Sequence, residues 1–191
     1  MIKSVSDNDN ELRNSIYTLY LEGNIPECDI TYSIGNFYKN GEKPKHKFDK
    51  YPQLDDVEQL AAFSFLPDNS LQSIMCDPPF LIRKSEKSVP KMIKRFSGYK
   101  TIQECEQAQT DLLEMCYPKL KKKGILIYKI QDTKCEYGQV WTHQYVMNEA
   151  ARIGYKIMDI FILLNKNPLP NRGKKQHCAR KVHSYYIIFQ K

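Results

Sequence analysis

A long amphipathic helix is predicted between two apolar strands in the middle of the chain. The helix covers residues 101–124, where Thr101 and Glu104 match a capping box and Gly124 is a stop signal. Its apolar positions recur at helical spacing, at Ile102, Cys105, Leu112, Leu113, Cys116 and Leu120. The flanking strands cover residues 70–77 and 125–130. Because a strand, a helix and a second strand in this order pair the two strands in parallel, the chain is predicted to have an α/β fold.

The rest of the chain continues this alternation. Further helices are predicted at 11–23, 55–63 and 142–153, and further strands at 27–33, 45–49, 155–164 and 183–191. No helix is predicted between the last two strands, so the final strand is expected to run antiparallel. The chain has 191 residues with no internal repeat and no low-complexity linker, which predicts one domain over residues 1–191.

The net charge of +7 is concentrated in two short segments. Residues 83–100 hold seven Lys and Arg residues and one acid, and residues 166–182 hold six basic residues and no acid. Residues 1–80, in contrast, hold 7 basic and 13 acidic residues. The two basic segments are either solvated lysine-rich loops or a phosphate-binding surface. The second interpretation requires both loops to reach one face of the protein.

Missing sequence patterns exclude several classes of protein. The six cysteines form no C-x-x-C pair, and His177, Cys178 and His183 lack metal-site spacing, so no disulfide framework and no metal site are predicted. His143 follows a predicted helix start and is assigned a structural role. No P-loop or nucleophile-elbow motif is present. The chain has no apolar run of about 20 residues and no signal-peptide pattern, so a cytoplasmic protein without a membrane partner is expected.

Three aspartates lie where predicted strands end. Asp29, Asp49 and Asp77 each close a strand. In open α/β sheets, ligands bind in the crevice outside the carboxyl ends of the strands. The sequence therefore predicts a functional site at this edge of the sheet.

The sharpest local signal is the sequence Asp77-Pro78-Pro79-Phe80, directly after a buried strand. Proline has a restricted φ and no N–H, so the pair stiffens the turn and leaves the Pro78 carbonyl without a local donor. The Asp77 carboxylate and this carbonyl can together accept both hydrogens of one amino group, such as adenine N6, and Phe80 offers a flat face for the base. The alternative is a rigid transition from strand to loop with a capping aspartate.

This motif resembles motif IV of the amino-methyltransferases, which are class I, S-adenosylmethionine-dependent enzymes acting on exocyclic amino groups of bases. D-P-P-[FY] is most typical of the DNA adenine-N6 members, so the resemblance implies catalytic roles for residues 77–80. It also implies the class I methyltransferase (Rossmann-like) fold. That fold is a seven-stranded, mostly parallel sheet with an antiparallel last strand and helices on both faces. The chain length leaves little room for a separate target-recognition domain, so none is expected.

The segment DITYSIGN, residues 29–36, resembles the cofactor loop of the same family, although it keeps only one glycine and no clear helix follows it. The resemblance implies S-adenosylmethionine as cofactor and S-adenosylhomocysteine as product. Phe63, Phe65 and Leu66 are candidates to flank the adenine ring, with core packing as the alternative. The implied cofactor-binding residues are Asp29, Thr31, Tyr32, Ser33, Gly35, Asn36, Asp49 and Asp77.

The strand at 125–130 is similar to the one after the central helix in small bacterial and phage-like DNA methyltransferases. This implies that Lys129 and Asp132 lie near the target base or the substrate backbone. Both basic segments follow strands that point at the same edge of the sheet, so they are predicted to flank one nucleic-acid cleft. The predicted nucleic-acid-binding residues are Arg83, Lys84, Lys94, Arg95, Lys129, Asp132, Arg172, Lys174, Lys175 and Arg180.

The predicted function is DNA methylation, by methyl transfer from S-adenosylmethionine to adenine N6, with no metal required. Two alternatives stay open: the same chemistry on RNA adenine or on cytosine N4, and a non-catalytic nucleic-acid-binding protein on the same fold. Methylation of a protein amide is disfavoured by Asp77 and by the basic segments. DNA is the expected partner, with RNA as the alternative.

Overall fold

A central sheet with helices on both faces is formed by residues 1–39, 41–82, 98–135, 138–165 and 178–191, which this computed structural model describes. The strands are β1 (Val5–Ser6), β2 (Cys28–Asp29), β3 (His46–Asp49), β4 (Glu58–Gln59), β5 (Leu71–Cys76), β6 (Leu120–Ile130), β7 (Thr133–Cys135), β8 (Gly138–Val140), β9 (Lys156–Leu164) and β10 (His183–Gln190). The α-helices are α1 (Asp9–Tyr20), α2 (Ile102–Lys119) and α3 (Thr142–Ile153), and 3₁₀ turns cover Asn36–Tyr38 and Leu60–Phe65.

Eight of the described strands form one sheet, in the order β1-β9-β10-β6-β5-β2-β3-β4. The pairs are parallel except for β10, which runs antiparallel to both β6 and β9. The predicted fold class is therefore confirmed. The predicted sheet of seven strands is present, and β1 adds an eighth at the edge beside β9, which the sequence analysis did not anticipate. Strands β7 and β8 form a separate hairpin.

Alternate side chains of the central strands point to two separate cores. On one face, α2 and α3 bury residues such as Leu113 and Val146 against Ile74, Leu126 and Ile187. On the other face, α1 packs against the neighbouring residues of the same strands, namely Met75, Ile127, Phe161, Tyr186 and Ile188. This two-sided burial explains why these strands read as nearly continuous apolar runs.

The helix boundaries follow from local hydrogen bonds. The Thr101 side chain accepts from the Glu104 N–H at 3.0 Å, as the capping box predicts, and α3 ends at Gly154 with φ of +116°. The predicted end of α2 at Gly124 is wrong, because the helix stops at Lys119 and Leu120 starts β6 with an extended backbone. Leu120 is fully buried there, so packing into the core outweighs continuation of the helix.

Two predicted elements are shorter than the patterns suggest. The strand at 27–33 is limited to β2, because the Asp29 side chain accepts from the Thr31 N–H at 2.8 Å and turns the chain away. The predicted helix at 55–63 is wrong: β4 and a 3₁₀ turn occupy its place. Within the described ranges, no helix is both long and apolar enough to cross a membrane.

Candidate active site

A cavity of about 830 Å³ opens at the carboxyl ends of β2, β3, β5 and β6. The loop after β2 and the end of β3 form one side of it. Leu60, Ala61, Leu112 and Met115 form an apolar wall. Residues 77–81 and Lys129 close the remaining side. The crevice predicted from the three strand-end aspartates therefore exists.

Asp29 anchors the loop after β2 from beneath the cavity. Its side chain is 1% exposed and accepts from the Thr31 N–H at 2.8 Å and from the Tyr38 hydroxyl at 3.0 Å. Burial raises the pKa of Asp29 to about 7, although these hydrogen bonds oppose that shift. Asp29 does not line the cavity, so its contribution is to fix the loop.

Thr31 connects this loop to the strand that carries the Asp-Pro-Pro-Phe motif. Its hydroxyl donates to Asp29 at 3.2 Å and accepts from the Asp77 N–H at 2.7 Å. Strands β2 and β5 are parallel neighbours, with Asp29 paired to Met75. The two sequence motifs that the resemblance singled out are therefore held together by one side chain.

Asp77 lies at the centre of the site with its side chain 30% exposed. Burial raises the pKa of this carboxyl; Lys129 opposes the shift and Asp9 adds to it. The Lys129 ammonium lies 3.8 Å from an Asp77 carboxylate oxygen. Asp77 is thus a partly accessible acceptor on the cavity wall, next to one fixed cation.

The residues after Asp77 form a rigid wall. The Pro79 carbonyl accepts from the Gln109 side chain at 3.2 Å, and the buried Tyr128 hydroxyl in turn donates to Gln109 at 2.6 Å. No hydrogen bond from a described residue reaches the Pro78 carbonyl. Phe80 lines the cavity and packs partly against the core. Pro78 also lines the cavity, which makes its carbonyl the candidate second acceptor next to Asp77.

Lys129 is held between two aromatic rings. Its ammonium lies 4.7 Å from the centre of the Phe37 ring and 5.2 Å from that of Tyr186. It also lies 3.6 Å from Asp9, the first residue of α1. These contacts, with the side chain 17% exposed, give Lys129 one defined position beside Asp77.

Asp9 and Arg13 bring the N-terminal helix into the site. Asp9 accepts from the Tyr186 hydroxyl at 2.6 Å and from Arg13 at 3.0 Å. Burial would raise the pKa of Asp9, but Lys129, Tyr186 and Arg13 together hold it below its usual value. Arg13 also donates to the Phe37 carbonyl at 2.6 Å, which ties α1 to the loop after β2. The sequence analysis missed Asp9, Arg13 and Phe37, because no local pattern marks them.

Asp49 holds the turn at Ser33. One carboxylate oxygen accepts from the Ser33 N–H at 2.8 Å, and the other accepts from the Tyr51 N–H at 2.8 Å. Ser33 adopts φ of +52°, which is uncommon for a residue with a side chain. Both residues line the cavity, and each Asp49 oxygen keeps a second lone pair for a ligand hydroxyl.

Gly35 is required where it stands. Its φ is +70°, and an added Cβ would lie 2.5 Å from the Tyr32 hydroxyl oxygen. Tyr32 stacks on Tyr38 at 5.6 Å, and Tyr38 donates to Asp29. The single glycine of the loop therefore makes room for the ring stack behind the cavity.

Gly35→Ala is expected to lower the free energy of unfolding by about 1–3 kcal/mol and to weaken ligand binding in the cavity, because it adds backbone strain and a clash with Tyr32. Chemical denaturation and ligand titration measure the two effects. Gly23→Ala is the matched control: Gly23 has φ of +84°, but nothing lies within 4 Å of its added Cβ. If the two variants lose the same free energy of unfolding, the clash with Tyr32 does not contribute to the destabilisation of Gly35→Ala.

The predicted cofactor-binding residues lie together around the cavity. Thr31, Tyr32, Ser33, Asn36, Asp49 and Asp77 line it, whereas Asp29 and Gly35 support it from behind. Phe63 is fully buried against Phe48 in the core and Phe65 is 87% exposed, so neither lines the apolar wall. Leu66 packs against the core and does not line it either. The apolar wall comes from Leu60, Ala61, Leu112 and Met115, which the sequence analysis did not identify.

The predicted nucleic-acid-binding residues separate into three groups. Lys129 lines the cavity, and Arg180 is exposed just before β10. Asp132 is 1% exposed and is occupied by hydrogen bonds within the protein. The remaining predictions lie outside the described residues: Arg83, Lys84, Lys94, Arg95, Arg172, Lys174 and Lys175.

Comparison with known proteins gives matches among solved structures. The chain matches no known family model and no curated protein. A proposed DNA modification methylase from Thermus thermophilus, in complex with S-adenosyl-L-methionine, is 12% identical with a TM-score of 0.49. The match covers 69% of this chain and 52% of that one. The cytosine-N4-specific PvuII DNA methyltransferase is 16% identical with a TM-score of 0.50, over 67% and 45% of the two chains.

A proposed exported protein from Bordetella parapertussis is 8% identical with a TM-score of 0.52, over 95% of this chain and 66% of that one. The chain spans about half the length of the two DNA methylase structures. At these identities the comparisons establish the fold alone. Together with the strand order, the two matches with TM-scores of 0.50 and 0.52 show a Rossmann-like fold, as in class I methyltransferases.

Proposed function

We propose that this chain transfers a methyl group from S-adenosylmethionine to an exocyclic amino group of a base in DNA, with adenine N6 as the target. One observation carries the proposal: Asp77 and Pro78 line the same cavity as the loop after β2, and the Thr31 hydroxyl of that loop accepts from the Asp77 N–H. A methyl donor and an amino acceptor bound in that cavity would be next to each other.

The cavity residues suit this cofactor. Asp49 has acceptor capacity for the two ribose hydroxyls, and the apolar wall suits a flat purine ring. Gly35 lets the backbone of the loop come close to the stacked tyrosines without a side chain in the way. When bound, S-adenosylmethionine supplies a methyl group on a positively charged sulfur and leaves as S-adenosylhomocysteine.

The protein's own contribution is orientation. The ionised Asp77 carboxylate and the Pro78 carbonyl each accept one amino hydrogen, which directs the nitrogen lone pair away from them. Phe80 stacks on the base. Transfer of the methyl group to the nitrogen would require that nitrogen to lose one proton, and Asp77 would be the adjacent group able to receive it. Holding two reactants in line can account for a large part of a rate enhancement, and no metal or covalent intermediate is needed.

Product analysis tests this function. The parent protein is incubated with labelled cofactor and a mixture of DNA and RNA, and each polymer is then digested to nucleosides. We expect label in N6-methyldeoxyadenosine. Absence of label from both polymers, combined with no cofactor binding at millimolar concentration, would support the non-catalytic alternative instead.

Cytosine N4 is the second candidate target. The two acceptors recognise an amino group, and cytosine N4 presents the same pair of hydrogens as adenine N6. The similarity in fold to a cytosine-N4-specific enzyme adds weight to this candidate. The same digestion distinguishes the two targets. Label found in N4-methyldeoxycytidine would show that cytosine, and not adenine, is the methylated base.

A further inference from the structure

A second cluster of polar and aromatic side chains lies just beyond the end of β6. At its centre, the buried Asp132 accepts from the His143 N–H at 3.2 Å and contacts the His143 ring nitrogen Nδ1 at 2.7 Å. The Tyr185 hydroxyl donates to its other oxygen at 3.3 Å. Asp132 therefore caps α3 and fixes the orientation of the His143 ring.

This arrangement positions an exposed tryptophan. The His143 ring stacks on Tyr185 at 4.5 Å on one side and meets Trp141 edge-on at 6.3 Å. The Lys181 ammonium lies 4.3 Å from the centre of the indole ring. Trp141 nevertheless stays 49% exposed. An aromatic ring of this size, held by its neighbours but open to solvent, is typical of a binding surface.

The cluster lies at the same edge of the sheet as the cavity. Strand β10 runs antiparallel to β6 with Tyr185 paired to Ile130, so the start of β10 meets the end of β6. The Gln131 side chain donates to the Lys181 carbonyl at 3.2 Å, which ties the segment before β10 to this edge. Lys129, which lies two residues before Gln131 in the chain, lines the cavity.

The described residues of this surface carry a net positive charge. Lys134 and Arg180 are exposed, and Lys181 lies over the indole. Among the described residues of 131–145 and 178–185, Asp132 is the one acid, and its carboxylate is buried. A basic surface around an exposed aromatic ring complements a single-stranded nucleic acid, whose bases stack and whose phosphates are anionic.

We propose that Trp141 and Lys181 bind one nucleotide of a single-stranded segment next to the base that enters the cavity. The base of that nucleotide stacks on the exposed part of the indole, and its phosphate meets Lys181 and Arg180. The inference rests on the proposed function, since it concerns the same substrate. It explains why the protein keeps Trp141 exposed and braced by His143.

The chain contains one tryptophan, so its fluorescence reports on Trp141 alone. A short single-stranded oligodeoxynucleotide is titrated into the protein without cofactor, and binding is followed both by Trp141 emission and by the anisotropy of a label on the oligonucleotide. We expect saturable quenching of Trp141. We also expect Trp141→Ala to weaken affinity by about 10-fold, as loss of one stacked base does.

Phe65→Ala is the matched control, because Phe65 is also an exposed aromatic residue but lies in the 3₁₀ turn after β4. It should leave the affinity unchanged. Oligonucleotide binding without a change in Trp141 emission, equal affinity of Trp141→Ala and the parent, or no binding at all would each overturn the proposal.

The two proposals fail in different ways. If the oligonucleotide quenches Trp141 but product analysis finds no methylated base, the binding site stands and the methyl-transfer function does not. If bases are methylated while Trp141 emission and the affinity of Trp141→Ala are unaffected, the function stands and this binding site does not.

Discussion

Replacing Asp77 with alanine is expected to lower kcat for methyl transfer by about 10²–10³-fold, the usual loss when one preorganised hydrogen-bonding group at a reacting centre is removed. The Asp77 carboxylate is placed to accept one of the two amino hydrogens, and without it the target nitrogen is held by the Pro78 carbonyl alone. The Asp77 N–H that donates to Thr31 is a backbone group, and the substitution does not remove it. The loop after β2 should therefore keep its position. Cofactor affinity, measured by titration, is therefore expected to fall far less than kcat, since Asp77 is one of several predicted cofactor contacts.

Asp77→Asn is the informative partner variant. Its carbonyl can still accept one hydrogen, so its rate should fall between those of the parent and the alanine variant. Because burial raises the pKa of Asp77, the parent should lose activity, as pH falls, at a higher pH than an ordinary aspartate would cause. The asparagine side chain cannot be protonated in this pH range, so the activity of this variant should not show the same loss as pH falls. Equal rates for the parent and Asp77→Ala would remove Asp77 from the mechanism.

Asp29→Asn is expected to stabilise the protein at alkaline pH and to flatten its pH dependence. Asp29 is buried, and its pKa is about 7 in the folded protein against a usual value of 3.8. The folded state thus binds a proton more tightly than the unfolded state. The stability that this proton provides is complete below pH about 4 and is lost as pH rises through about 7. The free energy of unfolding should fall by roughly 1 kcal/mol per pH unit across this interval.

Asparagine cannot ionise, and its amide oxygen can still accept from the Thr31 N–H. Urea denaturation of both proteins at pH 5 and pH 8 measures the difference. The exposed Asp55, changed to asparagine, is the control and should leave the pH dependence as it is in the parent. An identical pH dependence in the parent and Asp29→Asn would show that folding does not raise the pKa of Asp29.

Features decided by neighbouring residues were predictable from the sequence. The capping box at Thr101, the end of α3 at Gly154 and the parallel β5 and β6 strands all appear as expected. Asp29, Asp49 and Asp77 do gather at one edge of the sheet, because parallel strands bring their carboxyl ends together. The end of α2 was not predictable, since burial of Leu120 in the core overrides a local stop signal at Gly124.

The sequence also assigned Asp132 and His143 to separate roles, one at the substrate and one structural. In the structure the two side chains pair at 2.7 Å and brace Trp141. Eleven positions separate Asp132 from His143, with a hairpin between them, so no periodic pattern reports their contact.

The sequence by itself determined the alternation of strands and helices, the strand-end aspartates and the rigid Asp-Pro-Pro-Phe turn, because each depends on spacing or on the restricted backbone of a few consecutive residues. Only the tertiary structure decided what surrounds Asp77. Lys129 reaches it from β6 while held by Asp9 of the N-terminal helix, and Thr31 ties it to the loop after β2. These contacts join residues 46 to 120 positions apart, and burial of both faces of the sheet brings them together.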